Sequence, residues 1–286
     1  MTALAPGQVR VPARTSPGRP VSAAQLGVVA ASVIALLFLG LPVAAIVARA
    51  ALSGGLVDAA ASGAVLDALV LSLVTTLASL ALTLTFGMPL AFVLARREFR
   101  GKTIAEALVD LPIVLPPSVA GLGLLLAFGT RGLLGGAFGV AGLSIPFTTL
   151  AVVLAQTFVS APLFVRSART GFRGVDHDQE DAARVDGAAP GSVFRHVTLP
   201  LASGAVGAGL VLAWARALGE FGATIMFAGN VAGRTRTLPL FVYSEFQSSL
   251  DASVAAAAVL VLAAFGVLVA VRLSRWRTGA DAGALP

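Results

Sequence analysis

The sequence predicts an all-α integral membrane protein whose chain crosses the bilayer six times, and three observations predict it. First, the chain is 57% hydrophobic and only 12% charged, with a mean hydropathy of +0.91, so most of its surface needs lipid rather than water. Second, residues 26–47, 66–95, 112–129, 147–165, 201–229 and 252–271 each hold roughly the 20 mostly apolar residues a helix needs to span hydrocarbon. A helix satisfies its own backbone there, which lipid cannot do. Third, the basic residues are sorted by side. Of 20 lysines and arginines, fifteen fall in the tail and loops that six spans place on one side, four (Arg49, Arg131, Arg234 and Arg236) on the other, and Arg216 inside a span. Basic loops stay cytoplasmic, so both termini are expected inside.

The elements follow in order. Residues 1–22, rich in Pro, Gly, Arg and Ser, read as a disordered cytoplasmic tail. Residues 23–275 form the six-span unit. The first span, with Arg10, Arg14 and Arg19 before it and Ala48-Arg49-Ala50 after it, imitates a signal peptide. Its apolar run exceeds the usual ~7–15 residues of such a segment, so it reads as an uncleaved span. The second span carries Gly87 and Pro89 and ends at the surface anchor Arg96-Arg97-Glu98-Phe99-Arg100. Pro116-Pro117, Gly121 and Gly123 interrupt the third, and Pro162 the fourth. Each proline removes a helix hydrogen bond, which shapes a pathway or only reflects loose packing. Residues 166–200 form a cytoplasmic loop. In the fifth span, Gly204, Ala208 and Leu212 beside Gly207 suit close helix packing. Residues 276–286 after the sixth form a short cytoplasmic tail.

Composition also excludes functions. There is no cysteine, and the two histidines, His177 and His196, both flank the cytoplasmic loop, so no metal centre and no catalytic constellation is expected. The isoelectric point near 11.3 does not indicate nucleic acid, because the basic residues are segregated by topology and lack interleaved aromatics. Gly101-Lys102-Thr103 imitates the end of a phosphate-binding loop, but Arg96 stands where its first glycine belongs.

The most informative segment is polar. Asp181-Ala182-Ala183 is followed after three residues by Gly187, and after nine more by Val197-Thr198-Leu199-Pro200. Small alanines allow close approach of a partner, Gly187 permits the positive φ of a tight turn, and Pro190 suits the first turn of a second helix. Leu199-Pro200 is expected to end that helix before the next apolar run. The pattern resembles the loop by which permease subunits of ABC importers dock on their ATPase, with Asp181 for the usual glutamate and Val197 for the usual isoleucine. Asp181, Ala182, Ala183, Gly187, Pro190, Val197, Leu199 and Pro200 are therefore the candidate coupling residues.

A second constellation lies in the fifth span. Arg216 and Glu220 are four residues apart, at a depth where an unpaired charge costs at least ~2.5–3.5 kcal/mol. They form either a structural ion pair or part of the pathway, with Thr224 and Asn230 beyond them. Arg216-Ala-Leu-Gly-Glu-Phe-Gly-Ala-Thr224, Ala228-Gly-Asn230 and Gly233-Arg-Thr-Arg-Thr-Leu-Pro-Leu240, together with Leu111-Pro-Ile-Val-Leu-Pro-Pro117, resemble the molybdate permease family of type I ABC importers. Sulfate permeases share the Arg216–Gly222 core. The resemblance covers roughly residues 25–275. It implies two permease copies with the path at their interface, a pair of cytoplasmic ATPases that bind ATP and Mg, and an extracytoplasmic molybdate-binding protein. Arg234 and Arg236 would face that receptor. No cofactor is expected on this subunit, and no bond is made or broken by it. The alternatives are a sulfate or tungstate permease and an ion-coupled secondary transporter using Glu220. The latter folds tend to carry duplicated halves, which this chain lacks.

Overall fold

A computed structural model describes residues 23–282; the expected tail 1–22 lies outside them. The described residues form helices and connecting turns. The chain divides into two units, residues 1–45 and 46–286. In the first, helix α1 begins; it runs Ala23–Leu52. Its apolar side chains from Leu26 to Val43 are exposed, as lipid contact requires.

The second unit continues with α2 (Gly55–Ala61) and α3 (Gly63–Arg96). Then come α4 (Lys102–Val114), α5 (Pro117–Phe128), α6 (Gly135–Val140) and α7 (Thr149–Arg173). The order closes with α8 (His177–Val185), α9 (Pro190–Leu218), α10 (Gly222–Ala228), α11 (Leu238–Phe246) and α12 (Leu250–Ala282). Among the described residues, five helices are long and apolar enough to cross a membrane, and a sixth crossing exists if the bent pair α4–α5 counts as one. The axis is α7: 56% of its apolar window is buried, against 17% for α12, and it packs on α3, α4, α5, α9 and α10. Phe164, Phe172 and Leu94 fill the core near Arg96, while Val152, Leu124 and Phe227 fill it further along α7.

Polar side chains join the spans as well. Gln156 Nε2 donates to Thr76 Oγ1 (3.4 Å), Thr157 Oγ1 to Ser79 Oγ (3.1 Å), and the Leu238 backbone N–H to Ser72 Oγ (2.7 Å). Interhelical bonds of this kind replace the hydrophobic drive that is missing between helices in lipid.

Several boundaries differ from those read in the sequence. The expected third span, 112–129, is not one helix: Pro116 forces Leu115 into extended backbone, and α4 and α5 meet there at a bend of 120°. The expected fifth span, 201–229, begins earlier, at Pro190, and stops at Leu218, with α10 following a break. Leu199-Pro200 does not end a helix. The turn over Phe194–Thr198 widens to π geometry, which lets the proline ring clear the carbonyl four residues back, and the helix runs on. The same device recurs in α3, where Thr83–Gly87 is a π-turn just before Pro89. The sixth helix extends beyond 271 to Ala282. Gly204 and Leu212 are exposed; the close approach in α9 is instead at Gly209, where a Cβ would lie 2.8 Å from Ser167 Cβ.

Candidate functional site

Between α7 and α9 the chain makes a helix–turn–helix that stands on the bundle. Asp176 caps α8 by accepting from the Asp178 N–H (3.1 Å), with Asp178 and Glu180 in the first turn and Arg184 in the last, as the helix dipole favours. The end of α8 is closed by Gly187 N–H donating to Arg184 C=O and Ala188 N–H to Ala183 C=O, both at 3.0 Å. Gly187 has φ +88°, the left-handed turn its position in the sequence predicts, and Pro190 begins α9.

Asp181, Ala182, Gly187 and Pro190 are exposed, as is Val185 at 86%. Asp181 pairs with Arg184 on that outer face. Ala183, Val197 and Leu199 are half-buried, and Pro200 is exposed. The outward surface is thus short side chains, one bare valine and an ion pair, held by a turn of fixed geometry.

Sequence reasoning missed what lies beneath. Glu180, one residue before the acid that fits the spacing, is only 4% exposed. Its Oε1 accepts from Arg96 Nη2 (2.9 Å) and from Thr198 Oγ1 (2.6 Å). The same Arg96 Nη2 donates to Val175 C=O (3.1 Å), and Arg96 Nη1 lies 2.9 Å from His177 Nε2. Arg96 is therefore a buried partner rather than the surface anchor it looked like. The only local signal was the i,i+4 spacing of Glu180 and Arg184, which sit 3.7 Å apart. Beside this cluster Phe92 meets Phe172 and Phe194 edge-on, with centroids 5.5 and 5.1 Å apart.

Arg216 and Glu220 come together at the break between α9 and α10. Nη1 and Oε2 are 2.6 Å apart, a close ion pair whose N–H is not aligned for a hydrogen bond. Oε1 of the same carboxylate accepts from the Ala223 N–H (2.7 Å) and so caps α10. Glu220 is 1% exposed and Arg216 one-third exposed. One side chain thus closes both ends of the interruption. Thr224 is fully buried, and its hydroxyl has no hydrogen-bond partner among the described residues.

Asn230 and Arg236, assigned separate roles from sequence, are hydrogen-bonded. Arg236 Nε donates to Asn230 Oδ1 (3.1 Å), and Asn230 Nδ2 donates to Ser244 Oγ (2.6 Å). Arg236 borders two open cavities of about 470 and 640 Å³, which also carry Asp67 and the trio Asp58, Glu245 and Asp251 respectively. Arg234 is exposed, and its carbonyl accepts from Thr149 Oγ1 (2.9 Å).

The chain is similar to known proteins. Residues 87–277 match the family described as "Binding-protein-dependent transport system inner membrane component". The Mycobacterium tuberculosis "Molybdenum transport system permease protein ModB" is 49% identical over 204 residues, 71% of this chain and 77% of that one. The Escherichia coli K12 protein of the same description is 40% identical over 220 residues, 74% and 96% of the two chains. Among solved structures, a bacterial ABC transporter involved in import of the acidic polysaccharide alginate superposes with a TM-score of 0.68 at 15% identity. That match covers 89% of this chain and 95% of the other. The fold is that of a type I ABC importer permease, and the chain belongs to the family of binding-protein-dependent transport system inner membrane components.

Proposed function

We propose that this permease subunit carries molybdate inward across the bacterial plasma membrane, as one of two copies that enclose the path between them. In this reading, both termini are cytoplasmic, and residues 181–200 dock on an ABC ATPase that holds the ATP and Mg. An extracytoplasmic molybdate-binding protein delivers the anion to the face bearing Arg234 and Arg236. ATP-driven closure of the ATPases displaces α8, and the spans follow as rigid bodies between inward- and outward-open states. The observation that carries the docking role is the exposed α8–turn–α9 surface, set by the positive φ of Gly187 and supported by buried polar contacts. Molybdate is supported by the names of the relatives, which extend over most of the chain. The permanent charge of Arg236, held in place by Asn230, suits a dianion better than a titrating group would.

The test is uptake of labelled molybdate by cells making the subunit with its ATPase and binding protein, alone and against excess tungstate or sulfate. Gly187→Val places a β-branched residue at φ +88°, a conformation such residues avoid, with no neighbour within 4 Å to complicate the result. Normal membrane levels with lost ATPase co-purification and lost uptake are expected. Unchanged co-purification overturns the docking role, and uptake that sulfate suppresses as well as molybdate does overturns the substrate.

A further inference from the structure

We infer that Glu180, Arg96 and Thr198 form the joint through which movement of the docking helix reaches the membrane spans, separate from the exposed residues that grip the ATPase. The inference rests on the docking role proposed above and adds the point at which displacement is handed on.

Four segments meet at this cluster. Glu180 lies on α8, Arg96 is the last residue of α3, Val175 lies two residues past the end of α7, and Thr198 sits in the π-turn of α9. The contacts are direct: Arg96 to Glu180 at 2.9 Å, Thr198 to Glu180 at 2.6 Å and Arg96 to Val175 C=O at 3.1 Å. The paired side chains of Arg96 and Glu180 are 7% and 5% exposed. A charged group so enclosed cannot exchange its partners for water without large penalty, so α8 cannot shift while its carboxylate stays behind. Asp181 differs in kind. Its side chain is 64% exposed and its partner, Arg184, lies on the same helix, so it ties α8 to nothing else in the chain. The two neighbouring acids divide the work: Asp181 faces outward and Glu180 inward.

The inward contacts also have leverage. Arg96 terminates a continuous helix that begins at Gly63, and Thr198 immediately precedes the α-helical run Leu199–Leu218. A rigid helix carries displacement of its end along its length, whereas a loop would absorb it. No loop intervenes between the cluster and either helix.

The experiment uses the assembled transporter in liposomes with its ATPase, binding protein and molybdate, and measures molybdate taken up per ATP hydrolysed. Glu180→Gln keeps the shape and removes the charge. Thr198→Val removes one hydrogen bond and leaves both charges paired. Asp181→Asn removes the charge that pairs with Arg184 on the outer face. For Glu180→Gln, ATPase co-purification and hydrolysis are expected to persist while uptake per ATP falls by about tenfold, within the usual range of coupling between sites. A smaller fall is expected for Thr198→Val. Asp181→Asn should weaken ATPase association, which Glu180→Gln should leave intact. An unchanged ratio in Glu180→Gln overturns the joint. Loss of ATPase association in that variant also overturns it, because the cluster then only shapes the docking surface. Where Glu180→Gln fails to reach the membrane, Thr198→Val decides alone, and an unchanged ratio there is fatal. Failure of the docking role itself is read elsewhere, as intact ATPase co-purification by Gly187→Val.

Discussion

Arg216 and Glu220 are chemically a pair but unequal in their surroundings. Glu220 is enclosed and caps α10, while Arg216 is one-third exposed. Breaking a buried ion pair on one side costs ~3–5 kcal/mol, and less where the remaining charge reaches water. Arg216→Gln strands the enclosed carboxylate, so it should lower the thermal midpoint of the purified protein more than Glu220→Gln does. In the double variant the amide oxygen introduced at position 220 can still accept from the Ala223 N–H, and stability should largely return. Equal losses for the two single variants, or the reverse order, would show that the carboxylate is not the more confined partner. The spacing of the pair was legible in the sequence because both residues belong to one turn. The capping contact was not, since Glu220 caps a second helix, Gly222–Ala228, that the apolar run on either side of Gly219 concealed. Glu180 was illegible for a different reason: its strongest partner lies 84 residues away, and a surface acid beside it satisfied the motif.

At the scale of the element, helix α9 holds an internal control. A Cβ on Gly209 would press on Ser167 Cβ at 2.8 Å and on Phe164 C=O at 3.2 Å, whereas one on Gly204 meets nothing within 4 Å. Overpacking of this kind typically costs ~1–3 kcal/mol, while alanine on an open helix face gains slightly in propensity. Gly209→Ala should therefore lower the thermal midpoint, and Gly204→Ala should leave it unchanged or raised; matched effects would contradict the crossing of α7 and α9. The expected span 66–95 lies within α3, whose long apolar run leaves little choice, whereas α7 runs eight residues past the expected end at 165, to Arg173. The prolines were misread because their effect depends on where the preceding carbonyls can go. Pro200 and Pro89 are absorbed by π-turns, while Pro116 forces extended backbone on Leu115 and the chain turns.

For the whole molecule, topology is the testable claim. Basic residues crowd the ends of α3 and α7 and the segment after them, so a reporter fused near Gly174 should be cytoplasmic and one near Gly136 extracytoplasmic. The bent pair α4–α5 makes the second fusion demanding, because α5 alone is 12 residues, about 18 Å long, and short of a full crossing. Both reporters on one side would end the six-span topology, because α7 lies between them, whereas a cytoplasmic reporter near Gly136 with an extracytoplasmic one near Gly174 would mean that the bent pair re-enters the membrane without spanning it. The contact between Arg96 and Glu180 also imposes an order of events on biogenesis. Arg96 leaves the ribosome well before Glu180 exists, and until then its guanidinium is one more positive charge holding the second span in orientation. It serves first as a signal to the insertion machinery and only later, once α8 has been made, as an enclosed partner. A nascent chain halted after Gly174 should therefore be correctly oriented yet expose Arg96 to protease, and release of the arrest should protect it.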